Sequence, residues 1–340
     1  MPGDLRAVGT ADIVVTGANG FIGAAVVREL VTRGMGPRLR VLVRRPAPGW
    51  MTDAGVEVWR GDLTAPTGLI GLCAGITTLV HLASQVGGDE ARCVAVNVDG
   101  TGNLLAEARR AGTANLSYLS TCGVYRDGVH RGALEPVRSA EGEVPEVDPG
   151  LIADPASATS RSRLAAERLV RAAGGVVLRP HLVHGAGDRH VVPALVRWLS
   201  AVPAWAAGAT ARTSLVAVTD LAAAIATLAL RPGVARPGDV FHVADPHPVR
   251  LRPLLAAVCG LFDLPLPVAN LTLAEHQART RLALPALSDH QYSLLTRDHW
   301  YESSRIWALT GESPGPGYVL RLAEAADWYR ESLGMTRAAA

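Results

Sequence analysis

The chain of 340 residues contains no lysine: all 33 residues in its lysine-plus-arginine count are arginine. That absence excludes a lysine-bearing phosphate loop, a pyridoxal Schiff base and every mechanism that turns on a lysine amine. Cysteine is scarce, and Cys73, Cys93, Cys122 and Cys259 stand too far apart for a disulfide framework or metal spacing. No window holds the ~18 uninterrupted apolar residues of a membrane span. The opening stretch, MPGDLRAVGTADIVV, lacks a basic region followed by an apolar core, so a cytoplasmic protein is expected rather than a secreted one. The formal net charge is only +2 with the arginines scattered, which speaks against a nucleic-acid partner. What is present, 49% hydrophobic against 19% charged residues, suffices for a full core.

The first half alternates short β-branched runs with helical patterns, which predicts βαβ units and a parallel sheet. Strands are expected over 12–16, 39–44, 56–59, 78–82, 116–120 and 176–179, with helices over 21–33, 91–111 and 160–173. The segment 126–156 is rich in glycine, proline and acidic residues and reads as a loop bordering a site. The second half is less regular. Helices are expected over 191–200, 219–230, 254–262 and 322–333, and strands over 214–218 and 240–243 should return to the main sheet. The expected fold class is α/β: a Rossmann-type doubly wound parallel sheet with a smaller mixed C-terminal substrate domain. Residues 1–180 form the first unit, with 214–245 returning to it, and 181–213 and 246–340 form the second.

Directly after the first expected strand comes Thr16-Gly17-Ala18-Asn19-Gly20-Phe21-Ile22-Gly23, opening an apolar helix. Gly17, Gly20 and Gly23 permit a tight turn and close approach of backbone amides to a pyrophosphate, with Phe21 and Ile22 in the helix's first turn. The second strand ends in Arg44-Arg45, where an NAD site would place a carboxylate for the ribose hydroxyls. Two guanidinium groups there instead suit a 2′-phosphate, so NADP(H) is the expected cofactor; a solvated strand end is the alternative. Asp62 and Leu63 follow the third strand, where a carboxylate could meet the adenine amino group or simply close a turn.

The segments TGANGFIG, VRRP, GDL, VHLAS, NVDGTGNLL, LSTCGVY and LRPHLVHGAGD occur in the order that they take in the extended short-chain dehydrogenase/reductases. The chain resembles that family over about residues 10–250. The family also includes nucleotide-sugar epimerases and dehydratases and dihydroflavonol-reductase-like enzymes. The resemblance implies that Leu82, Ala83 and Ser84 border the cofactor ribose, and that the stretch from Pro180 to Val183 flanks the nicotinamide. It also implies that Thr121, four residues before Tyr125, hydrogen-bonds the substrate carbonyl.

One element departs from the family pattern. Alignment on Leu164-Ala165-Ala166-Glu167 puts Thr159 where the family has its catalytic tyrosine and Arg163 where it has its lysine. A threonine hydroxyl is far too weak an acid to exchange the proton that accompanies hydride, and a guanidinium does not release one near neutrality. Arg163 could still hold the nicotinamide ribose. His181 is the candidate for donating a proton or orienting a substrate hydroxyl, with a plain cleft-lining role as the alternative. His81 and Tyr125 read as core residues, and His184 as a polar residue of the cleft.

The expectation drawn from these residues is an NADPH-dependent ketoreductase with an atypical active site. Among family members it resembles the ketoreductases that act on a carbonyl of aromatic polyketide, angucyclinone-like, antibiotic intermediates. Trp198, Trp205 and Leu182 would line the site for a flat apolar substrate, and a phenol of that substrate would supply the proton. Two alternatives stand: a nucleotide-sugar epimerase or dehydratase, and a catalytically inactive NADP-sensing regulator.

Overall fold

The computed structural model describes residues 11–134 and 151–335, together with the backbone of 138–139 and 142–143. Seven strands form one sheet in the order Val240–Val243, Val176–Pro180, Asn115–Leu119, Thr78–His81, Ile13–Thr16, Leu39–Val43 and Glu57–Arg60. Every neighbouring pair is parallel. The central strands read as unbroken β-branched and leucine runs because both faces are covered; Ile13–Thr16, Leu39–Val43 and Thr78–His81 are buried along their whole length. The helices Phe21–Thr32 and Val218–Leu230 pack together on one face. Gly100–Ala111 and Ala158–Ala172 pack together elsewhere on the sheet, Leu104 and Ala108 against Leu79, and Ala166 and Val170 against Val177. The order in which strands are added reverses between Ile13–Thr16 and Thr78–His81, the switch point at which such sheets open a crevice at their carboxyl ends.

A second apolar cluster joins the helices Val191–Ala201 and Leu251–Leu261 to residues from the end of the chain, including Tyr292 and Tyr329. Beside it lies a four-stranded mixed sheet in the order Val249–Arg250, Arg212–Thr213, His299–Tyr301, His130–Ala133. Strand His130–Ala133 falls inside the stretch expected to be a loop. It pairs in parallel with His299–Tyr301, so a segment from the first half is held by one from the far end of the chain. The rest of that expected loop, apart from its two ends and the two backbone pairs, lies outside the described residues.

Two further expectations are refined. Strand Val240–Val243 does join the main sheet, at its edge. Leu215–Ala217 instead pairs with Leu182–His184, forming a separate two-stranded ribbon, because the edge next to Val176–Pro180 is already taken. The helix expected over 91–111 begins as Glu90–Val94, passes through a π-helical turn at Ala95–Asp99 and continues as Gly100–Ala111. Such turns concentrate at functional sites, and this one carries the buried Asn97. Among the described residues no helix is long and apolar enough to cross a membrane.

Candidate active site

The glycine turn lies at the carboxyl end of the first strand, above the crevice. Gly17 has φ +75°, and a Cβ on it would come within 2.7 Å of the Ala83 backbone nitrogen. A Cβ on Gly23 would stand 2.0 Å from the Gly17 carbonyl oxygen. Only glycine fits at either position. Gly20, the N-cap of the helix Phe21–Thr32, offers no side-chain acceptor to the first-turn amides, which leaves them for an anion. A groove of about 330 Å³ runs from here past Arg44 and Asp62 to Ser84. Leu63, Leu82 and Ala83 line it as well, and Phe21 lines the adjoining cleft. Ile22 and Val183 are half-buried against the sheet core, and Pro180 ends its strand. The geometry of this groove fits an adenine dinucleotide.

The groove is braced by buried polar contacts. Thr16 Oγ1 accepts from the amides of Leu82 and Ala83, each at 3.2 Å, so its own hydrogen goes to His81 Nδ1 at 2.7 Å. His81 Nε2 then meets Thr101 Oγ1 at 2.9 Å, and burial pulls the imidazole down to about 3. His81 is a neutral structural histidine. Asn97 Oδ1 accepts from the Gln85 amide at 2.7 Å and from Ser84 Oγ at 3.2 Å, while its Nδ2 donates to Ser162 Oγ at 2.9 Å. Arg163 Nε donates to Ser84 Oγ at 2.9 Å and its Nη1 to the Ser120 carbonyl at 3.3 Å. The guanidinium therefore stands at the end of the groove, where the family's lysine would be.

Beyond that end lies a cavity of about 140 Å³. Thr121, Ser160, His181, Leu182, His299 and Tyr301 are among the side chains that line it. Thr159 is not among them, for its Oγ1 accepts from the Gly87 amide at 3.0 Å and lies 3.8 Å from Cys93 Sγ. The hydroxyl at the family's tyrosine position thus belongs to the neighbouring loop. Burial first, and the nearby His299 and His130 imidazoles next, hold His181 well below the ordinary histidine value, so it is neutral at pH 7. Its Nε2 is buried without a hydrogen-bond partner. His299 is held down at about 4, again chiefly by burial. Burial pushes the Tyr125 and Tyr301 phenols above their usual range.

Tyr125 belongs to a closed buried chain. Arg179 clasps both Glu167 oxygens, at 3.0 and 2.6 Å, and donates to Tyr125 Oη at 2.6 Å. Tyr125 Oη donates in turn to His242 Nε2 at 2.7 Å. This network ties the helix bearing Ser160 and Arg163 to the strand that leads into His181.

Trp198 and Trp205, expected along the substrate site, are buried in the second core instead. Trp198 Nε1 donates to Thr280 Oγ1 at 3.1 Å, a satisfied interior contact. Leu182 does reach the cavity. Residues that sequence reasoning missed are Asn97, Ser160, Asp127, His130, His290, His299 and Tyr301. The last five of these meet through the mixed sheet and the Asp127–His290 contact. Among the described residues no group of three histidine, cysteine or acidic side chains is arranged to hold a metal.

A family model described as the NAD dependent epimerase/dehydratase family matches residues 13–244. A 2-alkyl-3-oxoalkanoate reductase of Stenotrophomonas maltophilia is 32% identical over 74% of this chain and 76% of its own length. A 4-hydroxy-2-methyl-3-oxo-4-farnesyl-3,4-dihydroquinoline-1-oxide ketoreductase of Stigmatella aurantiaca is 29% identical over 79% of this chain and 78% of its own. Among solved structures, MoeE5 in complex with UDP-glucose and NAD has TM-score 0.67 at 23% identity, covering 95% of this chain and 100% of that one. The dTDP-glucose 4,6-dehydratase DesIV of Streptomyces venezuelae, a double mutant with NAD bound, has TM-score 0.69 at 20% identity, covering 95% and 98%.

The expectation of NADP(H) is corrected by these structures, in which the dinucleotide bound to the shared fold is NAD. The two arginines misled for a local reason. Arg44 Nη1 faces Asp62 Oδ2 at 3.7 Å, so a carboxylate inside the groove already opposes the Arg44 charge. Hydrogen bonds from Thr64 hold Asp62 below the usual carboxylate value, keeping it ionised.

Proposed function

Because the chain belongs to the NAD dependent epimerase/dehydratase family, an NAD(P)-dependent oxidoreductase of a small molecule, we propose that it reduces a ketone fused to an aromatic ring, with NAD(H) as its cofactor. The observation that carries this reading is the cavity beside Ser84 and Arg163, with Thr121 and His181 on its wall and the Thr159 hydroxyl turned away. Gly17, Gly20 and Gly23 with the first-turn amides would hold the pyrophosphate, and Arg163 with Ser84 the nicotinamide ribose. Bound NADH supplies the hydride. Thr121 orients the carbonyl, and neutral His181 offers a hydrogen bond without a charge. The relatives that reduce an oxoalkanoate and a bicyclic quinoline ketone support a lipophilic ketone over a sugar. An angucyclinone-like aromatic polyketide is the finer form of this reading, and there the phenol next to the ketone passes its proton to the nascent alkoxide. In domain terms, residues 1–180 with 214–245 bind the cofactor, and 181–213 with 246–340 shape the substrate site.

The test is NADH consumption with 8-hydroxy-1-tetralone, a small aryl ketone with a neighbouring phenol. Turnover with the reduced alcohol as product is expected, and saturating protein without turnover overturns the reading. NADH should also bind at least as tightly as NADPH in a direct titration; a tenfold or greater advantage for NADPH contradicts the cofactor assignment. Thr159→Ala should retain most of kcat, since that hydroxyl serves the Gly87 amide. A loss on the order of a thousandfold, the scale of a general acid, would place Thr159 in the chemistry after all.

A second reading is a nucleotide-sugar epimerase or dehydratase, favoured by the shared fold with MoeE5 in complex with UDP-glucose. Oxidation of a sugar hydroxyl needs a base, and an imidazole held as neutral as that of His181 is a weak one. Conversion of UDP-glucose in the presence of NAD, with the tetralone inert, would select it.

A further inference from the structure

We propose that Ser160 and Thr121 together form a two-hydroxyl cradle for the oxygen of the reacting carbonyl, with Ser157 as the residue that aims Ser160. This rests on the carbonyl reduction proposed above and names a donor that the family pattern does not predict, one position beyond the vacant tyrosine.

The geometry rests on where each hydroxyl's hydrogen is free to go. Thr121 Oγ1 accepts from the Gly123 amide at 3.0 Å, so its hydrogen is available to a ligand. Ser160 Oγ accepts from Ser157 Oγ at 3.0 Å, which likewise releases the Ser160 hydrogen. The two oxygens flank one place: a Cβ built on Gly123 would lie 3.0 Å from Ser160 Oγ and 3.4 Å from Thr121 Oγ1. Both residues line the 140 Å³ cavity together with His181. Ser160 is itself buried, at 7% exposure, so a hydrogen bond that it makes there is not diluted by bulk water.

The backbone adds to this. Ser157 caps the helix Ala158–Ala172 by accepting from the Ser160 amide at 3.1 Å, which places Ser160 in the first turn of a helix of 15 residues. Partial positive charge at that end favours a developing alkoxide. Arg163, one turn further along the same helix, reaches Ser84 at the end of the groove, so cradle and cofactor groove are set by one rigid element. Two donors preorganised on the position of growing charge are the arrangement that stabilises an oxyanion.

The cradle is tested in two ways. In the tetralone assay, Ser160→Ala should lower kcat on the order of a hundredfold with KM changed little, the size of one lost oxyanion donor. Ser157→Asp separates aim from capping. Aspartate caps a helix as well as serine does, but a carboxylate accepts and would draw the Ser160 hydrogen toward itself. It should therefore show the same loss without loss of fold, while Ser157→Thr, which caps and donates, recovers most of the rate. The second readout needs no turnover: 4-nitrophenol titrated on the NAD-loaded protein. Its pKa should fall by about one unit on binding, because hydrogen bonds to the anion favour it, and Ser160→Ala should remove that shift. An unshifted or unbound nitrophenol overturns the cradle, as does Ser160→Ala or Ser157→Asp with undiminished kcat. If no aryl ketone is reduced while the nitrophenol shift appears and depends on Ser160, the proposed reaction fails and the cradle stands.

Discussion

Methylating the phenol beside the ketone should abolish reduction: 8-methoxy-1-tetralone is expected to turn over about a thousandfold more slowly than 8-hydroxy-1-tetralone while still binding. Hydride delivery leaves an alkoxide that must take a proton at once. His181, held well below its ordinary value by burial and by neighbouring imidazoles, carries no charge to give up at pH 7. His299, at about 4, is in the same state. Tyr125 and Tyr301 are pushed up by burial, and Tyr125 already donates to His242. A substrate phenol has a pKa near ~10, like the tyrosine that the family uses, and its placement within the same molecule gives a high effective concentration. Proton delivery of this kind is worth roughly 10²–10⁴ in rate. Rates measured for the two ketones under saturation decide the matter. An undiminished rate for the ether shows that the proton comes from the protein or from water.

Glu167→Ala should be the most destabilising single change near the site. Glu167 is 1% exposed and clasps Arg179, 2% exposed, through both oxygens. Removing the carboxylate strands a buried guanidinium, a loss of about 3–5 kcal/mol. The pair joins the helix of Ser160 and Arg163 to the strand entering His181, so the site should loosen together with the fold. Urea unfolding followed by circular dichroism reads the stability, and NADH titration reads the site. Glu167→Gln keeps the volume and one of the two acceptor oxygens, and should lose less. A loss within 1 kcal/mol for the alanine variant would show that Arg179 finds another partner.

The cofactor half of this site was legible in the sequence because its geometry is local. Gly17 and Gly23 are required by contacts within the turn and with the adjacent strand, and the glycine spacing records that requirement directly. The vacancy at Thr159 and the absence of lysine were legible for the same reason, being matters of residue identity. Arg44 and Arg45 were read from the same stretch but pointed to the wrong cofactor. The charge of Arg44 is opposed by Asp62, eighteen positions after it and on the next strand–loop connection, an approach that no linear pattern displays. Trp198 and Trp205 failed as substrate contacts because an aromatic side chain is equally suited to a core, and the packing of two helices put them there.

The parallel sheet, the glycine turn of the groove and the loss of the tyrosine–lysine pair follow from residue order alone, since hydrophobic runs, glycine turns and residue identity each act over a few neighbours. The cavity beyond the end of that groove came from tertiary packing. Strand His130–Ala133 had to find His299–Tyr301, and Ser160 had to meet Thr121 across Gly123, before a cavity with its own donors existed. Those partners lie as many as 169 positions apart, as in the pairing of His130 with His299. Contacts of that kind are selected by the summed burial of two cores, a quantity that no short window of sequence contains.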